Sequence, residues 1–267
     1  MSQHKSDVAQ ESLLLRWDDG GVAWLTLNRP ASRNALSMGL MTALDEALVA
    51  IGADASVRVV VIGGSGPAFC AGHDLREMRA HPEEASAAAT FALCSRVMQR
   101  VVNLPKPVIA RVHGVATAAG CQLVASCDLA VAAETARFAT PGVNIGLFCS
   151  TPMVALSRAI GRKQAMEMLL TGEMVDAARA REIGLVNRVV AEAALDDAVA
   201  ALAGGIAAKS ALTLAIGKEA FHRQAELSLA DAYAYASAVM TRNMMAHDAA
   251  EGIDAFLAKR PPVWTGT

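Results

Sequence analysis

Two segments of this 267-residue chain combine small and polar residues in a pattern that could support chemistry. One is Phe69–Leu75, with the sequence FCAGHDL, and the other is His113–Leu123, which ends in AGCQL. Each follows a predicted strand, and small residues leave main-chain N–H groups open to a ligand. The second segment opens a predicted helix, whose N-terminus adds roughly half a positive charge. Together they could aim two amides at one carbonyl oxygen, as an oxyanion hole does. Ordinary strand–helix turns with tight packing account for the same residues.

Hydrophobic periodicity predicts the elements that would position these segments. Ser37 is a predicted N-cap, because apolar residues recur after it at helical spacing: Leu40, Met41, Leu44, Leu48 and Ile51. A second helix is predicted over residues 83–102. Short apolar runs predict strands at 57–62, 108–112 and 129–133, and a hairpin over 13–28 that turns at Asp18-Asp19-Gly20-Gly21. This alternation predicts an α/β protein with a largely buried sheet.

From Pro152 onward the pattern predicts helices almost throughout. The predicted spans are 153–160, 162–170, 177–183, 193–208, 210–224, 228–245 and 247–259. These helices have many alanines and few large apolar residues, so the tail is expected to pack on another element or another subunit. We therefore divide the chain into a flexible N-terminus (1–10), a core domain (11–200) and a C-terminal helical oligomerisation region (201–267).

Composition excludes several classes of protein. The 24 Lys and Arg nearly balance 26 Asp and Glu, which argues against a nucleic-acid partner. The longest charge-free stretches, 112–127 and 138–157, contain glycines and polar residues unsuited to a membrane span. No metal-ligand spacing is present, so no metal site is predicted. Five cysteines without a C-x-x-C pair, together with a polar N-terminus, predict reduced thiols in a cytoplasmic protein.

Ordered motifs along most of the chain, from about Leu13 to Arg260, resemble the enoyl-CoA hydratase/isomerase (crotonase) superfamily. They are LNRP (27–30), NAL (34–36), FCAGHDL (69–75), PKPVIARVHG (105–114), GCQL (120–123), CDL (127–129), ARFATP (136–141), LLTG (169–172) and GLV (184–186). The nearest resemblance is to divergent enoyl-CoA hydratase-domain-containing members that lack both catalytic glutamates. Such motifs are specific for the fold but less so for the reaction, because one scaffold hosts several chemistries.

The resemblance implies an α/β fold with a crotonase-like ββα spiral core and a C-terminal helical trimerisation region. It also implies a homotrimer or a dimer of trimers. The implied ligand is an acyl-CoA thioester, with coenzyme A entering as part of the substrate and no other cofactor required.

The resemblance also assigns functional residues. The oxyanion amides would be the main-chain N–H groups of His73 and Ala119. Coenzyme A would be held by the 71–76 loop, by the segment around residues 29–35 and by the C-terminus of a neighbouring subunit: Arg29, Ser32, Arg33, Ala35, Ala71, His73, Asp74, Leu75, Arg76, Phe256 and Lys259. Arg29 and Arg33 could meet the phosphates, although solvated surface arginines are equally consistent with the sequence.

The departure from the family lies at the two glutamate positions, which here are Gln122 and Gly142. Adding water to a double bond needs a base and an acid, and neither an amide nor a glycine titrates usefully. We therefore expect thioester binding and enolate stabilisation without efficient two-glutamate hydration. Gln122 should face the acyl site and hold a water or a carbonyl, or else satisfy buried main-chain groups.

Other polar residues near these segments receive structural assignments. Cys149 is read as a buried thiol, because no base lies close to it in sequence. Ser150 and Thr151 are expected to cap a helix that begins at Met153. The ring of His73 is expected near the cofactor or solvent instead of acting as a base. Asp74 and Asp128 should fix loop and strand ends.

Two classes of function remain open. The first is an enzyme that acts on acyl-CoA thioesters through an enolate or a polarised carbonyl: a nominal or specialised hydratase/isomerase, a decarboxylase or a hydrolase. The second is a non-catalytic acyl-CoA-binding protein. A serine hydrolase is disfavoured, because the G-x-S-x-G elbow is missing from the sequence.

Overall fold

Two β-sheets form the centre of the molecule in this computed structural model, which describes residues 12–267. The N-terminus predicted at residues 1–10 lies outside the described residues. The larger sheet has the strand order β1-β2-β3-β5-β7-β10 and the smaller has the order β4-β6-β8-β9. The strands are β1 (Leu14–Asp19), β2 (Val22–Leu27), β3 (Val59–Gly64), β4 (Ala68–Cys70), β5 (Val108–Val112), β6 (Val115–Thr117), β7 (Leu129–Ala133), β8 (Arg137–Ala139), β9 (Val175–Asp176) and β10 (Arg188–Val190).

Three consecutive strand pairs divide between the two sheets, which gives the chain its spiral course. β3, β5 and β7 are parallel in the larger sheet, and each is followed within a few residues by β4, β6 or β8 of the smaller one. A helix follows each pair, so the repeating unit is ββα. The predicted α/β class and the spiral core are confirmed.

Eleven α-helices occur within the described part of the chain. They are α1 (Met38–Ala53), α2 (Leu75–Ala80), α3 (Glu84–Asn103), α4 (Ala119–Ser126), α5 (Ser150–Ala159), α6 (Arg162–Thr171), α7 (Ala177–Glu182), α8 (Leu195–Ala207), α9 (Ala211–Gln224), α10 (Leu229–Met244) and α11 (His247–Leu257). The Ser37 side chain accepts a hydrogen bond from the N–H of Leu40, and the five predicted apolar residues of α1 are all buried. This N-cap prediction is confirmed.

The central strands β3, β5 and β7 of the larger sheet are buried on both faces, as expected for parallel strands, whereas the edge strand β1 is largely exposed. One face packs with α1, α3, α4 and the smaller sheet around a core that includes Phe69 and Phe138. The other face is covered by α8, through Leu195, Val199 and Ala203. The edge hairpin of β1 and β2 turns at Gly20 and Gly21, both at positive φ, as an Asp-Gly-Gly turn requires.

The C-terminal part differs from the prediction in two ways. It is not wholly helical, because β9 and β10 add strands to the two sheets, and β10 pairs in parallel with β7. α5 begins at Ser150 instead of Met153, and Cys149 precedes it without a side-chain cap. The predicted capping role of Ser150 and Thr151 is therefore wrong: both lie inside the first turn, where a hydroxyl cannot act as N-cap.

Several contacts fasten the helical tail to the core. The Lys218 ammonium on α9 donates to the carbonyls of Val101 and Lys106 and to the Asp128 carboxylate, at 2.9, 3.0 and 2.7 Å. Asp128 also accepts the N–H of Val108, as predicted for a residue that fixes strand ends. The proposed domain boundary at residue 200 falls within α8.

A membrane span requires both sufficient length and sufficient apolar character in one helix. Within residues 12–267 no single helix reaches both, although the bent pair Glu192–Ala207 and Ala211–Gln224 does so jointly by length and composition.

Candidate functional site

The two segments singled out in the sequence lie side by side in the structure. β4 and β6 are parallel neighbours, so their carboxyl ends deliver Ala71–Asp74 and Ala118–Gln122 to the same sheet edge. Gly72 has a φ of +97°, and a Cβ there would lie 2.8 Å from Ala118 Cβ and 3.4 Å from the amide nitrogen of Ala119. Glycine is therefore required at 72 both for its backbone conformation and for this close approach.

The main-chain N–H of His73 is left free by the way its loop pairs. Leu36 forms a parallel bridge with His73, in which Leu36 donates to Gly72 O at 2.7 Å and accepts from the Asp74 N–H at 3.1 Å. In such a bridge, the residue between the two bonded neighbours, here His73, directs its own N–H away from the partner strand. Accordingly, the His73 N–H donates to no acceptor within residues 12–267.

The N–H of Ala119 is free for a different reason. Ala119 is the first residue of α4, and the first N–H groups of a helix have no partner inside it. The preceding residue, Ala118, has a φ of +49°, which is rare and costly for a residue with a Cβ. This strained elbow turns the chain from β6 into α4 and leaves the Ala119 amide at the helix start.

Close packing holds the start of α4 against the first loop. A Cβ at Gly120 would overlap the carbonyl of Cys70 and lie 2.9 Å from its Cβ, so only glycine fits there. The Thr117 hydroxyl donates to the carbonyl of Ala71 at 3.1 Å, which ties the two loops together. Two free amides thus sit on neighbouring loops that are fixed by backbone contacts.

Gln122 lies one turn after Ala119 and is buried, with 4% of its surface exposed. Its Oε1 accepts a long contact of 3.9 Å from the Cys94 thiol of α3, and its Nε2 donates to no acceptor in the described chain. The amide is therefore not consumed by main-chain groups, which removes one of the two roles considered for it.

Gly142 is buried, and its position has no room for a side chain. A Cβ there would overlap the carbonyl oxygen of Leu147 and lie 2.9 Å from the Cys149 sulfur. The Leu147 N–H donates to the Gly142 carbonyl at 2.9 Å, so the segment closes on itself. Burial raises the pKa of the Cys149 thiol, although a hydrogen bond from the Gly142 main chain opposes this. Cys149 is thus protonated at neutral pH, as expected for a buried thiol.

The His73 imidazole is largely enclosed. It packs edge-on against Phe91 of α3, with ring centroids 5.5 Å apart and planes at 86°. Its Nε2 is buried without a hydrogen-bond partner, and burial lowers the pKa of the ring. The ring is therefore neutral at pH 7. Of the two surroundings expected for it, cofactor or solvent, burial disfavours solvent, and the place near the cofactor stays a prediction.

The predicted coenzyme A loop is partly committed to internal bonds. The Ala71 N–H donates to Arg33 O, and the Asp74 carboxylate caps α2 by accepting the N–H groups of Arg76 and Glu77. Asp74 also pairs with Arg29 at 2.9 Å, and Arg29 donates to Ala35 O at 2.6 Å. The Arg29 guanidinium pins two loops together, and the ion pair with that arginine helps hold the pKa of Asp74 below its usual range although burial opposes it.

The remaining predicted coenzyme A residues are mostly exposed. Leu75 and Arg76 lie at the start of α2, and Ser32 and Arg33 lie beside the loop at residues 71–76 with surface-accessible side chains. Phe256 and Lys259 lie on or just after α11, far along the tail, and Phe256 is 81% exposed. Within this chain α11 packs against α9 and α10 and does not join the amide site.

Sequence reasoning gave no role to Asn34, which holds the whole arrangement together. Asn34 is fully buried at a φ of +55° and accepts the Arg29 N–H at 2.8 Å. It donates to the carbonyls of Ser65 and Ala68, both at 2.8 Å. The NAL motif contained this residue, but a hydrogen-bonding clamp across 34 residues of chain leaves no periodic signal.

The described residues contain no group of three or more His, Cys, Asp or Glu side chains able to hold a metal ion. All five cysteines are free thiols. Cys121 is fully buried.

The fold and the paired-loop site define a crotonase-type spiral protein with two free amides, one on the loop after β4 and one at the start of α4. The family model for enoyl-CoA hydratase/isomerase matches residues 18–267, and the chain belongs to this family. It is 45% identical to the enoyl-CoA hydratase domain-containing protein 3, mitochondrial, of Danio rerio over 96% of this chain and 89% of that protein.

Solved structures agree with this assignment. An enoyl-CoA hydratase from Mycobacterium smegmatis superposes with a TM-score of 0.93 at 57% identity, covering 95% of this chain and 99% of that one. Human enoyl Coenzyme A hydratase domain-containing protein 3 gives a TM-score of 0.92 at 44% identity, covering 94% and 100%. The predicted resemblance is confirmed at the level of family and fold.

The predicted cytoplasmic location is wrong. The Danio rerio relative and its rat and human counterparts are mitochondrial proteins by name. The prediction rested on reduced cysteines and a polar N-terminus. Buried thiols with raised pKa values are inert in any compartment, so they do not distinguish one from another.

Proposed function

We propose that this protein binds acyl-CoA thioesters and polarises the thioester carbonyl with the main-chain N–H groups of His73 and Ala119. Coenzyme A enters as part of the ligand, and no other cofactor is required. The two-glutamate hydration machinery is replaced by Gln122 and Gly142, so the chain is a nominal enoyl-CoA hydratase/isomerase. Membership of the family supports the ligand class, and the two free amides support the mode of binding.

The observation that carries this proposal is the pair of amides without acceptors on adjacent, rigid loops. A carbonyl oxygen between them would satisfy both donors, and it would gain negative charge in an enolate. Because the donors are main-chain groups, replacing the neighbouring side chains leaves them in place. The helix dipole of α4 adds to the field at the Ala119 amide.

Ligands that differ only at the carbonyl test this proposal directly. Butyryl-CoA should bind about tenfold or more tightly than S-butyl-CoA, its thioether analogue, because two neutral hydrogen bonds are lost in the analogue. Calorimetry gives the two affinities, and the ¹³C resonance of a carbonyl-labelled butyryl-CoA should move downfield on binding. Equal affinities and an unmoved resonance would contradict the amide pair.

A non-catalytic acyl-CoA-binding protein is the second candidate, and the closed loop at Gly142 favours it over an active hydratase. A crotonase-fold decarboxylase or hydrolase is the further alternative. Turnover of crotonyl-CoA, malonyl-CoA and butyryl-CoA distinguishes these activities from binding alone.

The variant Gln122→Glu tests whether hydration is lost because a carboxylate is missing or because the site cannot accommodate the substrate. Glutamate has nearly the shape of glutamine, so it should fit beside Cys94 and supply one proton-transfer group. One such group contributes typically ~10²–10⁴-fold, so crotonyl-CoA hydration should rise at least tenfold over the parent protein. Gln99→Glu, on the exposed side of α3, is the matched control. A parent protein that already hydrates crotonyl-CoA at the rate of a two-glutamate enzyme would refute the proposed loss.

A further inference from the structure

We propose that the imidazole of His73 is a specificity-determining group of the acyl site, where it exchanges a hydrogen bond with an uncharged oxygen on the acyl chain. This inference rests on the proposed function and extends it from the thioester carbonyl to the acyl group. The main-chain N–H proposed to bind the thioester carbonyl also belongs to His73, so the imidazole lies close to that carbonyl.

The position of the ring places it on the same wall as Gln122. Phe91 and Cys94 are three residues apart on α3 and share one face of that helix. Phe91 packs against the His73 ring, and the Cys94 thiol contacts the Gln122 side chain. A single turn of α3 therefore links the imidazole, the Gln122 amide and the loops that carry the two free N–H groups.

The polar atoms of this wall are unsatisfied by the protein. Nε2 of His73 is buried without a partner, and Nε2 of Gln122 donates to no acceptor in residues 12–267. A buried polar atom left without a hydrogen bond is costly, and native structures contain few of them. Phe91, which packs against the imidazole, is 37% exposed, so this side of the wall reaches the protein surface. A polar atom of the ligand would remove the cost.

The charge of the wall defines the kind of oxygen it accepts. Burial lowers the pKa of His73, so the ring is neutral at pH 7, and Gln122 carries no charge. Neither side chain has a positive charge that would offset the burial of a carboxylate. Removing a carboxylate from water is far more costly than removing a hydroxyl or a keto group. The wall is therefore suited to a hydroxyl or keto oxygen and unsuited to the carboxylate of a dicarboxylic acyl group.

Three ligands matched in length test the inference by calorimetry on the intact protein. 3-Hydroxybutyryl-CoA should bind roughly three- to tenfold more tightly than butyryl-CoA, as expected for one neutral hydrogen bond. Malonyl-CoA, with a carboxylate at the same distance from the sulfur, should bind more weakly than butyryl-CoA. In His73→Phe the ratio of the first two affinities should fall to about one, and in His73→Gln part of it should return.

The matched control is His222→Phe on α9, which should keep the parent ratio. If His73→Phe does not fold, His73→Gln and the parent ratio still decide the question. Equal binding of 3-hydroxybutyryl-CoA and butyryl-CoA by the parent protein, a ratio unchanged in the variants, or preferential binding of malonyl-CoA would each overturn the role of His73. Failure of butyryl-CoA itself to bind would instead refute the proposed function, and the inference with it.

Discussion

At the scale of a residue, Gly142 differs from the family's glutamate both in lacking a carboxylate and in having no space for any side chain. By the family resemblance it stands where a glutamate would be, but the Leu147 carbonyl and the Cys149 sulfur occupy the space that a Cβ needs. A carboxylate cannot be restored there by a single change, in contrast to position 122. The two departures from the family therefore differ: Gln122 exchanges one functional group for another, whereas Gly142 leaves no room for a functional group.

The closure predicts a stability cost for any side chain at this position. Gly142→Ala should lower the free energy of unfolding by about 1–3 kcal/mol, because the added methyl group must displace main-chain atoms. Urea denaturation measures this change. Gly205→Ala is the control, since Gly205 lies within α8 with open space around its Cβ position, and it should be stabilising by about 0.5–1 kcal/mol. Full tolerance of Gly142→Ala would mean that the loop opens freely.

At the scale of elements, the helical tail is held to the core through a few polar anchors instead of a continuous apolar face. α9 has no buried residue within this chain, yet the Lys218 ammonium reaches two carbonyls and a carboxylate of the core. The Lys218 side chain is almost entirely enclosed, so these three acceptors replace the water that would otherwise solvate its charge.

Removing that charge should loosen α9 from the core. Lys218→Met leaves the Asp128 carboxylate without its ammonium partner, so we expect a loss of about 2–4 kcal/mol in the free energy of unfolding. Hydrogen exchange should rise most in α9. Lys163→Met, at an exposed position of α6, is the matched change and should stay within about 0.5 kcal/mol of the parent. A similar small effect at Lys218 would show that the anchor is dispensable.

At the scale of the whole molecule, the tail exposes more apolar surface than an isolated chain should carry. Large side chains of α9–α11, and of Met245 just after α10, are exposed. Those on the helices are Phe221, Leu229, Tyr233, Met240, Met244, Ile253, Phe256 and Leu257. So many exposed large apolar side chains in one region indicate an interaction surface. Together with the family resemblance, it supports our proposal of a homotrimer or a dimer of trimers.

Light scattering after size exclusion tests the oligomer. The parent protein should have three or six times the 27.8 kDa chain mass. Leu229→Asp combined with Tyr233→Asp places two charges one turn apart on exposed α10, and should shift the mass toward the single chain while far-UV circular dichroism stays unchanged. Leu15→Asp, on the exposed edge strand β1, is the control outside the tail. A parent protein of single-chain mass would contradict the proposal.

Local signals in the sequence determined much of the larger sheet and of the helices. α1 has a side-chain cap at Ser37 and an apolar stripe, and β5 and β7 are short apolar runs, so each is specified within its own residues. The smaller sheet was not predicted, because strands of two or three residues such as β4, β6 and β8 are too short to show periodicity. β10 was missed because a three-residue strand inside a helical region is recognised only once β7 lies beside it.

The candidate site divides in the same way. The sequence by itself determined the family, the glycines at 72 and 120 that let two loops approach, and the absence of both glutamates. Only the tertiary structure decided that position 142 is closed and that Arg29 is bound to Asp74. It also decided that the His73 ring and the Gln122 side chain both contact one turn of α3. Residue identities are local properties of the chain, whereas the room around a Cβ and the partner of a buried nitrogen depend on segments brought together from distant positions.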